Sequence, residues 1–132
     1  MKLVLGGYAQ GKLHYVLQRN PEINYKIWDG RLPTEEELQQ VAVGQQEIVI
    51  NHFHNWAKEQ IRQKCMPEKE LEAFLKRESK CIIISDEIGN GIVPMDAFER
   101  EYRERTGRML IQIAGQADEV VRVLCGIGQK IK

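Results

Sequence analysis

The segment Gly6-Gly7-Tyr8-Ala9-Gln10-Gly11-Lys12 has the pattern G-x-x-x-x-G-K, a chemistry-bearing spacing with a direct physical purpose. Glycines let backbone N–H groups converge on phosphate oxygens, a helix starting at the end of the turn adds positive potential, and the Lys12 ammonium can reach the β- and γ-phosphates. Gly6, Gly7, Tyr8, Ala9, Gln10, Gly11, Lys12 and Leu13 are therefore the candidate nucleotide-binding residues. Leu13 is the departure: such loops place a Ser or Thr hydroxyl on Mg²⁺ here, and Leu carries no oxygen. His14 is no simple substitute, because Mg²⁺ prefers oxygen ligands and the next helical residue points about 100° away. The plainer reading is a glycine turn that packs a helix on a sheet; the strand before it and the helix after it favour phosphate.

A second support for phosphate chemistry is an acidic residue at the end of a neighbouring apolar strand. Ile82-Ile83-Ile84-Ser85-Asp86-Glu87 offers Asp86 to hold Mg²⁺ through water and Glu87 to orient a nucleophile, against the simpler role of a charged loop solvating a strand end. Lys12, Asp86 and Glu87 are the candidate catalytic residues. Ile48-Val49-Ile50-Asn51 ends in an amide that brings no charge. His52 and His54 follow it without an acidic or cysteine ligand nearby in sequence, so they read as ordinary polar loop histidines and no dedicated metal site is expected. Thr34, Ser79, Ser85 and Thr106 are the only aliphatic hydroxyls, with no Gly-x-Ser-x-Gly elbow for a serine hydrolase. Cys65, Cys81 and Cys125 are odd in number and far apart, which suits reduced packing residues.

These groups need a scaffold. Lys2–Leu5 is an apolar run before the glycines, and Leu13, Val16 and Leu17 fall at helical spacing after them: strand, loop, helix. Ile23–Trp28 alternates as a strand; Thr34 with Glu37 makes a capping box for a short helix. Glu47–Ile50 is a β-branched strand followed by a helix from Phe53 to about Lys64, with Phe53, Ala57 and Ile61 on one face. Pro67 opens the next helix, where Leu71, Phe74 and Leu75 are buried and Glu72 pairs with Lys76. Cys81–Ile84 reads as a strand covered on both faces, and Asp86–Pro94 as a loop. Two helices broken near Gly107 follow, the first with Glu99/Arg103 and Glu101/Arg105 pairs outside, before Glu119–Leu124 closes the chain as a strand. Strands alternating with helices predict a mainly parallel sheet with helices on both faces, and ligands at the carboxyl ends of its strands.

Composition agrees with a single unit. The 132 residues are 42% hydrophobic and 29% charged, with Lys+Arg and Asp+Glu balanced at 19 each. This is the make-up of a globular domain with one core, taken to run over residues 1–132. A sequence pI near 6.8 leaves no basic field for nucleic acid or an anionic membrane surface. The longest apolar runs fall far short of the ~20 residues that cross a bilayer, and the N-terminus lacks a signal peptide's apolar region, so a cytoplasmic location is expected.

Taken together, the motifs resemble the bifunctional adenosylcobinamide kinase/adenosylcobinamide-phosphate guanylyltransferase family, of which the chain looks like a divergent, shortened member. The family's Gly-Gly-Ala-Arg-Ser-Gly-Lys-Ser is echoed by Gly6-Gly7-Tyr8-Ala9-Gln10-Gly11-Lys12-Leu13. Its Ser-Asn-Glu-Val-Gly-x-Gly-Ile-Val-Pro is similar to Ser85-Asp86-Glu87-Ile88-Gly89-Asn90-Gly91-Ile92-Val93-Pro94, and its Arg-x-Phe-Arg to Arg100-Glu101-Tyr102-Arg103. Gly107-Arg108 and Ala117-Asp118 match further blocks, although Leu110 and Ile111 replace an Asn-Gln.

The resemblance implies a three-layer α/β P-loop NTPase-like (RecA-like) domain, ATP or GTP as the bound nucleotide, a corrinoid such as adenosylcobinamide as phosphoryl acceptor, and a homo-oligomer, a trimer by resemblance. It also exposes what is missing. The family's guanylyl-accepting histidine lies after the second strand, where Asp29–Gln40 is short and has no histidine. The strand-end acid corresponds to Asn51 and the loop hydroxyl to Leu13, so both inner Mg²⁺ supports are absent. Kinases rely on Mg²⁺ to offset charge on the transferring phosphoryl group. Two readings stand: a nucleotide-dependent kinase without the guanylyl-transfer step, and an inactive nucleotide- or corrinoid-binding homologue acting as regulator or partner subunit.

Overall fold

The computed structural model describes residues 1–132. Its elements run β1 (Lys2–Gly6), α1 (Lys12–Arg19), β2 (Tyr25–Asp29), α2 (Glu35–Gly44), β3 (Glu47–Asn51), α3 (Phe53–Arg62), α4 (Pro67–Arg77), β4 (Cys81–Asp86), α5 (Ala97–Gln116), β5 (Glu119–Leu124) and β6 (Ile127–Lys130). Leu3 and Val4 point to opposite faces of β1 and neither is exposed at all. A strand apolar on both sides belongs in the interior of a parallel sheet. β1 accordingly pairs in parallel with β4 on one edge and β5 on the other, in the order β2-β3-β4-β1-β5-β6. β6 alone runs antiparallel, against β5. The fold is the expected mainly parallel α/β arrangement of a P-loop NTPase-like domain.

Handedness distributes the helices. From β1 the chain crosses to the far edge at β2, then returns through β3 and β4 and passes over β1 to β5. Right-handed crossovers put α1 on one face and α2 to α5 on the other. The core divides accordingly. Leu3, Ile48, Ile50, Ile83 and Val120 pack under Leu38, Phe53, Leu71, Phe74 and Ile113, whereas Val4, Val49, Ile84 and Val121 pack under Val16 of α1. One eight-residue helix is a thin cover, and Ile27 on its side of β2 stays 37% exposed while Trp28 on the other side is buried.

Local signals set most helix ends. Thr34 Oγ1 accepts from Glu37 N–H and the Glu37 carboxylate accepts from Thr34 N–H, closing the expected capping box. Pro67 occupies the first turn of α4, and Glu72 pairs with Lys76 at 3.0 Å. Asp96 caps α5 by accepting from Phe98 and Glu99 N–H.

The structure corrects the sequence reading at four places. α5 is one continuous helix of 20 residues, without a break at Gly107. Burial of Thr106, Met109 and Leu110 around that glycine outweighs its poor helix propensity. β6 extends the sheet past Leu124, because Cys125 (φ 51°) and Gly126 (φ 76°) both adopt the left-handed conformation that a two-residue hairpin turn requires. Cys125 is consequently exposed at that turn, as is Cys65 in its loop; only Cys81 is a buried packing thiol, its pKa pushed up to about 12 by burial. Finally, Glu99 pairs with Lys58 and Arg103 donates to Ile92 O, so the expected Glu99/Arg103 pair does not form, whereas Glu101 and Arg105 do meet, at 3.1 Å.

An added Cβ at Gly107 meets nothing within 4 Å. Gly107→Ala should therefore stabilise the protein by up to about 1 kcal/mol, read as a higher urea midpoint with unchanged slope; a helix truly interrupted there would gain nothing.

Candidate functional site

Three strand ends converge at one rim of the sheet. Register places Gly6 of β1 beside Asp86 of β4, while β3 ends at Asn51 nearby. Gly6 must be glycine: a Cβ there would stand 2.4 Å from Val123 O of β5. The turn that follows carries Ala9 (φ 53°) and Gly11 (φ 83°) in the left-handed region and leads into α1. Gln10 fastens it from behind, its carbonyl accepting Gly126 N–H at 2.8 Å and its Oε1 accepting Cys125 N–H at 2.8 Å. Tyr8, by contrast, stands 86% exposed.

Lys12 opens α1 and folds back beneath this turn, only 7% exposed. Its Nζ donates to Gly7 O at 2.7 Å and Gly6 O at 3.2 Å, and lies 2.6 Å from Asp86 Oδ1. An ammonium has three protons, so all are engaged. Leu13 turns the other way and packs against the α1-side core, leaving no oxygen at the mouth of the loop.

His54 completes the cluster. It sits in the first turn of α3 and is buried; its Nδ1 accepts Asp86 N–H at 3.0 Å, and its Nε2 lies 3.4 Å from Asp86 Oδ2. A backbone amide can only donate, so Nδ1 is unprotonated and the ring proton resides on Nε2. Burial holds the imidazole below its ordinary pKa, and nearby His52, Lys12 and Lys58 add to the effect against the opposing pull of Asp86. Ser85 is fully buried beside it and donates to Asp86 O at 3.0 Å.

The remaining sequence candidates are placed differently. Glu87 faces Arg122 of β5 in a two-point pair at 2.6 and 3.2 Å, and its N–H donates to Gly6 O at 3.0 Å. Asn51 donates to Asp29 Oδ1 at 3.2 Å, and His52 Nδ1 also contacts that carboxylate, near solvent. Structure therefore brings Lys12 and Asp86 together and turns Glu87 away toward the β5 side. His54 was discounted as a loop histidine. Its place at i, i+3 and i+7 with the buried Ala57 and Ile61 is the spacing that marks it as inward-facing.

Magnesium does not fit these residues. Mg²⁺ demands near-octahedral oxygens with one or two carboxylates. Here Leu13 has no oxygen, Asn51 has no charge, and Asp86 is committed to Lys12. No group of three or more His, Cys, Asp or Glu is placed to hold a metal. A cavity of about 470 Å³ lies elsewhere, at the amino ends of the strands among Lys2, Tyr15, Tyr25, Ile48 and Ile82. Open parallel sheets bind ligands at the other end, where Lys12 is.

A depressed imidazole pKa has a consequence for stability. Above the unperturbed 6.5 the neutral ring contributes fully; as pH falls through the lowered native value, protonation removes the Nδ1 acceptor and that contribution is lost. Denaturant midpoints between about pH 8 and about pH 5 should decline less in His54→Asn, whose Oδ1 stands where Nδ1 does, than in the parent. Equal slopes would refute the lowered pKa of His54.

A family model described as cobinamide kinase / cobinamide phosphate guanyltransferase matches residues 18–131. The match begins beyond the Gly6–Lys12 turn. The chain is 43% identical over 62 residues to the bifunctional adenosylcobalamin biosynthesis protein CobU of Salmonella typhimurium, covering 47% of this chain and 34% of that protein. The protein of the same name from Escherichia coli matches at the same identity and coverage. The chain thus spans about a third of the length of these curated relatives. No helix is long and apolar enough to cross a membrane.

Proposed function

Because the chain belongs to the cobinamide kinase/cobinamide phosphate guanyltransferase family, we propose that it serves the kinase side of cobalamin assembly. The Gly6–Leu13 segment receives the phosphates of ATP or GTP, and the phosphoryl acceptor is a corrinoid hydroxyl, as on adenosylcobinamide. One observation carries this reading: Lys12, the one ammonium at the carboxyl rim beneath the glycine turn, is buried with its donors aimed at that turn and at Asp86. An incoming phosphate offers the same ammonium a stronger, charge-assisted acceptor than the two loop carbonyls do.

In this reading the residues divide the work. Gly6, Gly7, Tyr8, Ala9, Gln10 and Gly11 present backbone N–H groups to the phosphates. Lys12 offsets charge on them. Asp86 stands beside Lys12 at the end of β4, where an acceptor hydroxyl approaching the γ-phosphate would meet it, while Glu87 braces the same strand end through Arg122. No step is assigned to Mg²⁺, and guanylyl transfer is left out because Asp29–Gln40 offers no histidine to carry the nucleotide. The likeness to the family also supports a small homo-oligomer in the cytoplasm.

A second reading is favoured by Leu13 and Asn51, which stand where a metal-assisted kinase needs oxygen ligands. Under it the chain binds nucleotide or corrinoid without turnover and acts as a regulator or partner subunit. Transfer of labelled γ-phosphate to adenosylcobinamide separates the two: product supports the kinase, and saturable binding without product supports the binding protein. Lys12→Ala should weaken triphosphate binding by roughly tenfold to a hundredfold, measured calorimetrically. Unchanged affinity would remove the phosphate-loop assignment.

A further inference from the structure

Two imidazoles stand where β3 runs into α3, and they are held in opposite senses. His54 gives its Nδ1 lone pair to the Asp86 amide, so its ring has no nitrogen left to take a proton from a ligand. His52 is held the other way round. Its Nδ1 meets Asp29 Oδ1, and a carboxylate only accepts, so the Nδ1 proton points there and the lone pair lies on Nε2, which has no hydrogen-bond partner. Asn51 Nδ2 donates to the same Oδ1 at 3.2 Å and so fixes Asp29 as well.

Stability does not account for this pair. The two side chains are 43% and 66% exposed, and such pairs contribute little. His52 also takes up the left-handed backbone (φ 53°) that disfavours side chains, which costs at least as much as the pair returns. Position gives it a purpose. β2 and β3 end in register, Asp29 beside Asn51, and only β4 separates β3 from β1. Two strand spacings, about 10 Å, therefore lie between the exit of β3 and the glycine turn. The His52 ring is 5.7 Å from that of His54, which rests on the Asp86 that Lys12 holds. A hydroxyl approaching a γ-phosphate on Lys12 from the β3 side enters between that phosphate and His52.

We propose that His52 is the general base of the phosphoryl transfer and that Asp29 is the residue that positions it. The acceptor hydroxyl gives its proton to Nε2 as its oxygen bonds to the γ-phosphorus; the bond from that phosphorus to the β,γ-bridging oxygen breaks, and its electron pair leaves with the nucleoside diphosphate. The imidazolium keeps its Nδ1–H on Asp29 and returns the Nε2 proton to water. Asp86 stays the partner of Lys12 throughout. The inference rests on the kinase reading.

Glycine suits the backbone at this position, so His52→Gly should fold with an unchanged or higher thermal midpoint. Its kcat for transfer of labelled γ-phosphate to adenosylcobinamide should fall by roughly a hundredfold with triphosphate affinity unchanged, and added imidazole, entering where the exposed ring was removed, should restore part of the rate. Asp29→Asn should lower kcat by about tenfold at an unchanged KM, and should abolish the single Nδ1–H tautomer that ¹H–¹⁵N spectra of the parent show for His52.

A His52→Gly rate within about twofold of the parent overturns the assignment. So does a lost rate that imidazole leaves unrestored, or an Nε2–H tautomer of His52 in the free protein. Failure of the kinase reading looks different. The parent itself then binds triphosphate and makes no product, or Lys12→Ala leaves triphosphate affinity intact, and the general base falls with it.

Discussion

A buried ammonium must find acceptors for every proton, and that requirement at Lys12 organises the carboxyl rim of the sheet. Two acceptors come from the turn that the lysine itself follows, and the third from the end of β4. The pair with Asp86 is possible only because Gly6 and Asp86 are cross-strand neighbours, and Gly6 can lie there only because it has no side chain to strike β5. Local turn, strand register and close backbone approach are thus three conditions on one charge. In exchange the rim holds a positive group that is preorganised and shielded from water, the state in which an ammonium interacts most strongly with an anion.

The topology explains why this happens at one end of the molecule. All five parallel strands deliver their carboxyl ends to the same side, so the loops leaving β1, β3 and β4 share a small space. Helices α3 and α5, joined through Lys58 and Glu99, brace the side on which His54 lies. The opposite rim holds the cavity of about 470 Å³ among Lys2, Tyr15, Tyr25, Ile48 and Ile82, away from these strand exits.

How far the sequence revealed this depended on the range of each signal. Short-range signals were legible: the capping box at Thr34, Pro67 in the first turn of α4, and the apolar strands all depend on residues within a turn of one another. Gly107 misled because helix propensity is local while the burial of Met109 and Leu110 is tertiary. β6 was missed because its turn uses Cys125-Gly126, with a cysteine in the left-handed conformation where Asn or Asp is the usual cue. At the site, Lys12 was legible from its glycines, and Asp86 and Glu87 from their place after an apolar strand. Which of the two would meet Lys12 was not, since register is a long-range property. His54 reads with His52 as a polar loop residue although the helix expected from Phe53 already includes it; its burial against Asp86, 32 positions on, is a long-range property.

Gln10 joins the glycine turn to the β5–β6 hairpin by two backbone-directed hydrogen bonds, and the Tyr15 ring of α1 lies against Gly128 so closely that a Cβ there would be 2.3 Å from it. Turn, first helix and last hairpin are therefore clasped together, although more than a hundred positions separate Gln10 from Cys125 along the chain. Such a clasp favours their opening together rather than singly. Amide exchange in the final strand would then report events at the opposite end of the polypeptide, and slowing it would need no ligand contact with that strand at all.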